Sequence, residues 1–193
     1  MREPLMHKES PTEYFRELVE SALQHQHVAV RELTSFYVVN LLAGFAHRDP
    51  SGLTDDEALG VRLMRALQAG GTAQRDGLRR VGDTSLFISG FFSDSLNRGL
   101  VDVDYYMQLG ERAYGSLARR DEALGDVFDE LAEKFGAIVD VLTEVSEHTA
   151  MTNGGDVMRL YEKWLRTGSR RSSDKLVARG ILPNGSARSR FVQ

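Results

Sequence analysis

Residues 121–150, DEALGDVFDELAEKFGAIVDVLTEVSEHTA, set large apolar side chains at alternating spacings of four and three: Leu124, Phe128, Leu131, Phe135, Ile138, Leu142 and Val145, with Thr149 next in line. An α-helix turns once every 3.6 residues, so this spacing draws one stripe along one face. The stripe predicts a single helix from Asp121 to about Ala150, of the kind found in bundles and coiled coils. The pattern leaves open whether the seam closes within the chain or across subunits.

Working outward, the same periodicity recurs. Ser10-Pro11-Thr12-Glu13 is a helix start: Ser10 caps, Pro11 suits the first helical position, and Glu13 can close a capping box. Phe15, Leu18, Ala22, His25 and Ala29 follow at helical spacing, which predicts that His25 points inward. The continuation SFYVVNLLAGF, residues 35–45, is apolar nearly all round. It reads as the buried second half of one long helix over 13–47. Thr54 with Glu57 forms a second capping box, opening a helix through Val61, Met64 and Leu67 to Gly70-Gly71. Residues 73–91 predict a third helix, thinned by Gly77, Gly82 and Gly90. A break follows over 93–99, and Asp102 caps a helix through Leu117. Beyond the seam, Asn153-Gly154-Gly155 interrupts, Asp156 caps a helix to Gly168, and a short helix spans about 172–179. No run alternates convincingly as a strand. The fold class expected is all-α: a single-domain bundle of six or seven helices over 10–167, with a loose basic tail over 168–193.

Composition bounds the function. A chain of 193 residues with 41% apolar and 27% charged residues has the material for one ordinary core. It contains no cysteine, which excludes disulfides, thiol catalysis and cysteine-held zinc or iron–sulfur centres. No apolar run approaches the length of a membrane span, and the first residues show no signal-peptide pattern. A bacterial-type cytosolic protein is therefore expected, with no membrane contact. Six basic residues against Asp174 give residues 168–193 a net charge of +5, so the other 167 residues carry −9 of the total −4. Arg170, Arg171, Lys175 and Arg179 are the candidates if the tail binds nucleic acid. The acidic body argues against that reading, and no recognition motif supports it.

Catalytic signatures are missing. No glycine-rich phosphate loop, nucleophile elbow or Ser–His–Asp spacing is present. Glu-x-x-His, the ligand pair of di-iron bundles, does not occur either. Asp140, Glu144 and His148 line up at intervals of four, but they lie off the seam, where charged residues normally face water. His25 is a core hydrogen-bonder in its simplest reading and a haem ligand or general base in a sharper one. Gly82-Asp83-Thr84-Ser85 resembles the distal helix of haem oxygenases over a few residues only. It lacks that family's paired glycines, and the resemblance is not adopted.

Residues 78–107 concentrate what remains: Phe87, Phe91, Phe92, Tyr105 and Tyr106, with Gly82, Gly90 and Gly99 and the carboxylates Asp83, Asp94, Asp102 and Asp104. Asp83 and Asp104 read first as ion-pair partners of Arg79, Arg80 or Arg98. Phe91, Phe92, Tyr105 and Tyr106 read as core or as contacts for a partner. The function expected is non-enzymatic: an adaptor, regulator or assembly subunit that works by protein–protein association or homo-oligomerisation. The alternative is a helical enzyme or sensor that binds a small molecule, haem or a metal through Asp83, Asp104 and His25. No particular cofactor is specified by the sequence.

Overall fold

The computed structural model describes residues 10–47, 58–92 and 103–151. Seven helices account for nearly all of them: α1 Pro11–His25, α2 Glu32–His47, α3 Leu59–Gln68, α4 Gly71–Phe91, α5 Val103–Ala118, α6 Gly125–Glu133 and α7 Phe135–Met151. No strand occurs among the described residues. The protein is all-α, and the helices pack around one core. Residues 152–193, with the basic tail and the helices expected there, lie outside the described residues, as do Thr54, Glu57 and Asp102.

The helix start at Ser10 forms as its sequence dictates. The Ser10 hydroxyl accepts from the Glu13 amide at 3.2 Å, and the Ser10 amide donates to the Glu13 carboxylate at 3.0 Å. The long helix expected over 13–47 is instead two helices. His27 adopts a left-handed conformation at φ 55°, and the Val28 amide reaches back to the Leu23 carbonyl at 2.9 Å. That bond closes a helix end of the kind glycine usually makes. The start of α2 is then capped from another helix. Glu130 on α6 accepts from the Arg31 amide at 2.9 Å and the Thr34 hydroxyl at 2.6 Å. α2 is also less enclosed than its sequence suggests, since Leu33 and Phe36 are half-exposed. The third expected start moves too. α3 begins at Leu59, and its cap residue Ala58 offers no side-chain bond.

The seam is buried inside the chain. Phe128, Leu131, Phe135, Ile138, Leu142, Val145 and Thr149 are all buried, and Leu124 packs at the edge of the core. Its helix is divided in two, however, at Lys134. That residue caps α6, and its ammonium donates to the Ala29 carbonyl at 2.7 Å and to Glu130 at 2.9 Å. The α1–α2 corner and the α6–α7 break therefore brace each other.

α4 is the central helix. It packs on α5 most extensively and also on α3 and α7. Three glycines let neighbours approach its face: Gly82 lies under the Tyr114 ring, Gly90 under Leu142, and Gly77 against Ala66. Across the interface, Gly110 on α5 receives the Phe135 ring and Ser85. A methyl group at position 110 would fall within that ring. Gly110→Ala is accordingly expected to destabilise the fold by about 1–3 kcal/mol despite better helix propensity. Gly44→Ala, on α2 with open space at its would-be Cβ, is expected to stabilise by up to about 1 kcal/mol. Urea unfolding of the two variants measures both, and the opposite order would contradict this packing.

Candidate association surface

The aromatic and glycine-rich stretch at 78–107 divides between the core and the surface. Phe87 stacks on Phe45 at 4.3 Å and on Phe91 at 4.9 Å, with Phe92 edge-on at 5.7 Å. Phe91 is buried and Phe92 half-buried. Phe91 is thus a core residue with no ring face left for a partner, and Phe92 seals the end of the same stack.

Asp83 organises a polar cluster inside the bundle. Its Oδ1 accepts from the Tyr37 hydroxyl at 2.7 Å and the Tyr114 hydroxyl at 2.8 Å. Burial first, and then the carboxylate beside them, push both phenols well above their usual range. One turn away, Arg79 donates to Asp121 at 3.1 Å and lies 5.3 Å from the Phe128 ring centre. Tyr37 and Tyr114 both pack on that same ring, at 5.4 and 5.8 Å. The cluster ties α2, α4 and α5 together, with Asp121 anchoring the turn before α6. Two protonated phenols on one carboxylate oxygen form a satisfied structural network.

His25 does not point inward. The buried face of α1 runs through Phe15, Val19 and Ala22, so the next position in register is Gln26. His25 stands about 100° away from that position and is exposed. Its Nδ1 lies 3.1 and 3.2 Å from the two oxygens of Glu144, while the Gln26 amide donates to Glu144 at 2.6 Å and to the Asp140 carbonyl at 3.2 Å. An open groove of about 380 Å³ runs between this end of α1 and the 140–148 turns of α7. Asp140, Glu147 and His148 flank it and are exposed. No group of three or more His, Asp or Glu side chains is placed to hold a metal ion among the described residues.

The carboxylates that pin the α1–α2 corner carry a pH signature. The Gln26 hydrogen bond holds Glu144 below its usual 4.5 despite some burial, with His25 adding to the effect. At Glu130, burial works to raise the value. The Thr34, Arg31 and Lys134 contacts outweigh it and leave the group lowered from 4.5. A carboxyl depressed by folding stabilises the native state above its unfolded value, and that contribution is lost as pH falls through the folded value. Stability is therefore expected to hold from neutrality to about pH 5 and to fall below 4.5. Glu130→Gln should flatten the fall in chemical denaturation run from pH 7 to 3. An unchanged slope would remove Glu130 from the account.

Away from these clusters, α3 and α5 meet to form an apolar surface. α3 turns Leu63 and Ala66 into the core. Its other side exposes Val61 at 51% and Met64 at 55%. On the first turn of α5, Tyr105 is 42% exposed. Its hydroxyl reaches α3 at Gly60, 2.6 Å from where a Cβ would stand, on the helix that carries Val61 and Met64. Tyr106 packs edge-on to Tyr105 at 5.5 Å and is half-buried; burial, then Tyr105, raises its phenol. Asp104 is exposed at the rim. Among the residues singled out from the sequence, Tyr105, Tyr106 and Asp104 thus come together. Val61 and Met64 stand on α3, whose apolar register the sequence sets through Val61, Met64 and Leu67; the helix instead buries Leu63 and Ala66 and leaves Val61 and Met64 exposed. No helix among the described residues is long and apolar enough to cross a membrane. No family model, curated protein or solved structure matches the chain.

Proposed function

We propose that this protein works by association, as an adaptor, regulator or assembly subunit, and that it binds through the α3–α5 surface at Val61, Met64 and Tyr105. The observation that carries the reading is three large apolar side chains left exposed on two helices that touch where the Tyr105 hydroxyl reaches Gly60. Scattered apolar residues are ordinary on a protein surface, whereas a contiguous cluster rimmed by charge is the usual mark of a contact site. Tyr105 is held by its crossing of Gly60, so little freedom is lost when a partner covers it.

The internal clusters support the same choice. Asp83 is occupied by Tyr37 and Tyr114, and His25 by Glu144. Two of the three groups that a catalytic or cofactor-binding reading would employ, Asp83 and His25, thus make contacts between helices, and the third, Asp104, lies apart from both on the first turn of α5. Native mass spectrometry of the protein drawn from its source cells tests the proposal. Added mass on the 21.6 kDa chain is expected, and Met64→Glu should abolish it while leaving the unfolding midpoint unchanged. A bare chain in the wild type, or added mass that survives Met64→Glu, would overturn the reading.

A further inference from the structure

One face of α2 is left open among the described residues. Leu33, Phe36 and Asn40 recur at spacings of three and four, and all are exposed. α1 and α6 pack on α2, and α6 stands at its start, where Asp126 and Glu130 meet Arg31 and Thr34. The charges of the bundle are sorted about this helix. Residues 121–151, which carry α6 and α7, hold nine acidic side chains against Lys134, and residues 10–25 of α1 hold three against Arg16. Residues 58–92 and 103–120, which carry α3, α4 and α5, hold eight basic side chains and four acidic ones.

The course of the helices fixes where the chain leaves α7. Along α4, Tyr37 of α2 meets Asp83 and Phe45 meets Phe87. Phe135 of α7 packs on the Tyr114 ring over Gly82, and Leu142 packs on Gly90. α2 and α7 therefore run in the same sense and finish at the same end of the bundle. From there, residues 152–156 reach about 17 Å, close to two interhelical spacings of about 8–10 Å. The sequence then sets Val157, Leu160, Tyr161 and Trp164 at helical spacings, followed by Arg170, Arg171, Lys175 and Arg179.

We infer that residues 157–179 of this chain occupy the open face of α2, running antiparallel to it. The apolar stripe from Val157 to Trp164 then covers Phe36 and Leu33, and the basic residues arrive at the start of α2, beside acidic α6. Apolar first and charged second is the order along the segment, and it is the order along α2 in this direction alone. The exposed apolar side chains of α3 and α5 belong to the basic part of the bundle, which disfavours the same segment. The inference concerns a different face from the association proposed above and does not depend on it.

Trp164 is the single tryptophan of the chain, so its fluorescence in the full chain reads this contact. The wild type is expected to emit to the blue of its emission in urea and to resist acrylamide quenching, at every protein concentration. Leu33→Asp and Phe36→Asp should each shift the emission to the red and remove the protection. Both positions are exposed, and circular dichroism checks that the bundle stays folded. Arg170→Glu with Arg171→Glu should weaken the protection, whereas Met64→Glu should leave it unchanged. A wild-type tryptophan as open as in urea, or one that ignores both α2 variants, would overturn the inference. Protection lost on dilution would put the segment on a second copy, and protection lost in Met64→Glu would put it on α3; either result overturns the contact with α2. Protection that ignores the double arginine variant would overturn the antiparallel course.

Discussion

Phe128→Ala is expected to destabilise the protein by about 3–5 kcal/mol, the range for truncating a fully buried aromatic. The ring is 0% exposed, and three partners depend on it. Tyr37 meets it edge-on at 5.4 Å, Tyr114 stacks on it at 5.8 Å, and the Arg79 guanidinium lies 5.3 Å from its centre. Each contact joins a different helix to α6. Removing the ring leaves a cavity at the meeting point of α2, α4 and α5, bordered by hydroxyls already committed to Asp83. The hole has little means to collapse, which argues for the upper part of the range. Phe128→Leu keeps most of the volume and should cost less than half as much. Equilibrium unfolding in urea measures both. A loss of about 1 kcal/mol or less for Phe128→Ala would mean that the seam is not the core of the chain.

Asp83→Ala is expected to cost about 2–4 kcal/mol, and for a different reason. The substitution deletes one acceptor and strands two donors, the Tyr37 and Tyr114 hydroxyls, in surroundings where each unpaired group costs about 1–3 kcal/mol. Partial access of water near Asp83, which is itself half-buried, reduces the sum. Adding Tyr37→Phe and Tyr114→Phe removes the stranded donors, so the triple variant should recover part of the loss. That recovery separates a hydrogen-bond account from a volume account, because the triple variant restores no volume. The phenols give a second readout. In the wild type neither Tyr37 nor Tyr114 should ionise near the usual value of 10. In ultraviolet titration of the folded protein, a full complement of tyrosinate appearing there would contradict the burial of the cluster.

The fold class was legible in the seam because seven apolar residues kept one spacing over six turns, and all seven line the core or its edge. The break within it was not legible. Leu131 and Phe135 are four apart, so the stripe continues through Lys134 without a fault. α6 ends where the Lys134 backbone turns to φ −104° and ψ 20°, and the same residue's ammonium reaches the Ala29 carbonyl, a contact between residues distant in sequence. The α1–α2 corner was hidden for a related reason. A helix end normally announces itself by glycine in the left-handed position, and here His27 takes it. Once that corner was missed, the register of α1 was read through Leu18 rather than Val19, and His25 was turned inward. A three-or-four ambiguity in one apolar step is enough to rotate a side chain by about 100°.

The site was legible in residue type and not in exposure. Five aromatics in residues 87–106 mark either a core or a contact, and nothing in their spacing separates Phe91, stacked on Phe87, from Tyr105, open to solvent. The separation comes from which helix each one meets. α4 is enclosed by α3, α5 and α7, whereas on the first turn of α5 the Tyr105 hydroxyl rests at Gly60 and leaves the ring 42% exposed. Val61 and Met64 sit opposite Leu63 and Ala66, and only the burial of the latter pair reveals that the former pair is left outside.

The claim on which the functional account turns is that the α3–α5 surface is occupied in the working protein. Photo-crosslinking in the source cells tests it most directly, with photoreactive benzoylphenylalanine placed at position 105 and, as a control, at the exposed position 129 on α6. The account expects a discrete crosslinked species from position 105 and none from position 129. No crosslink from position 105, or equal crosslinking from both positions, would contradict it.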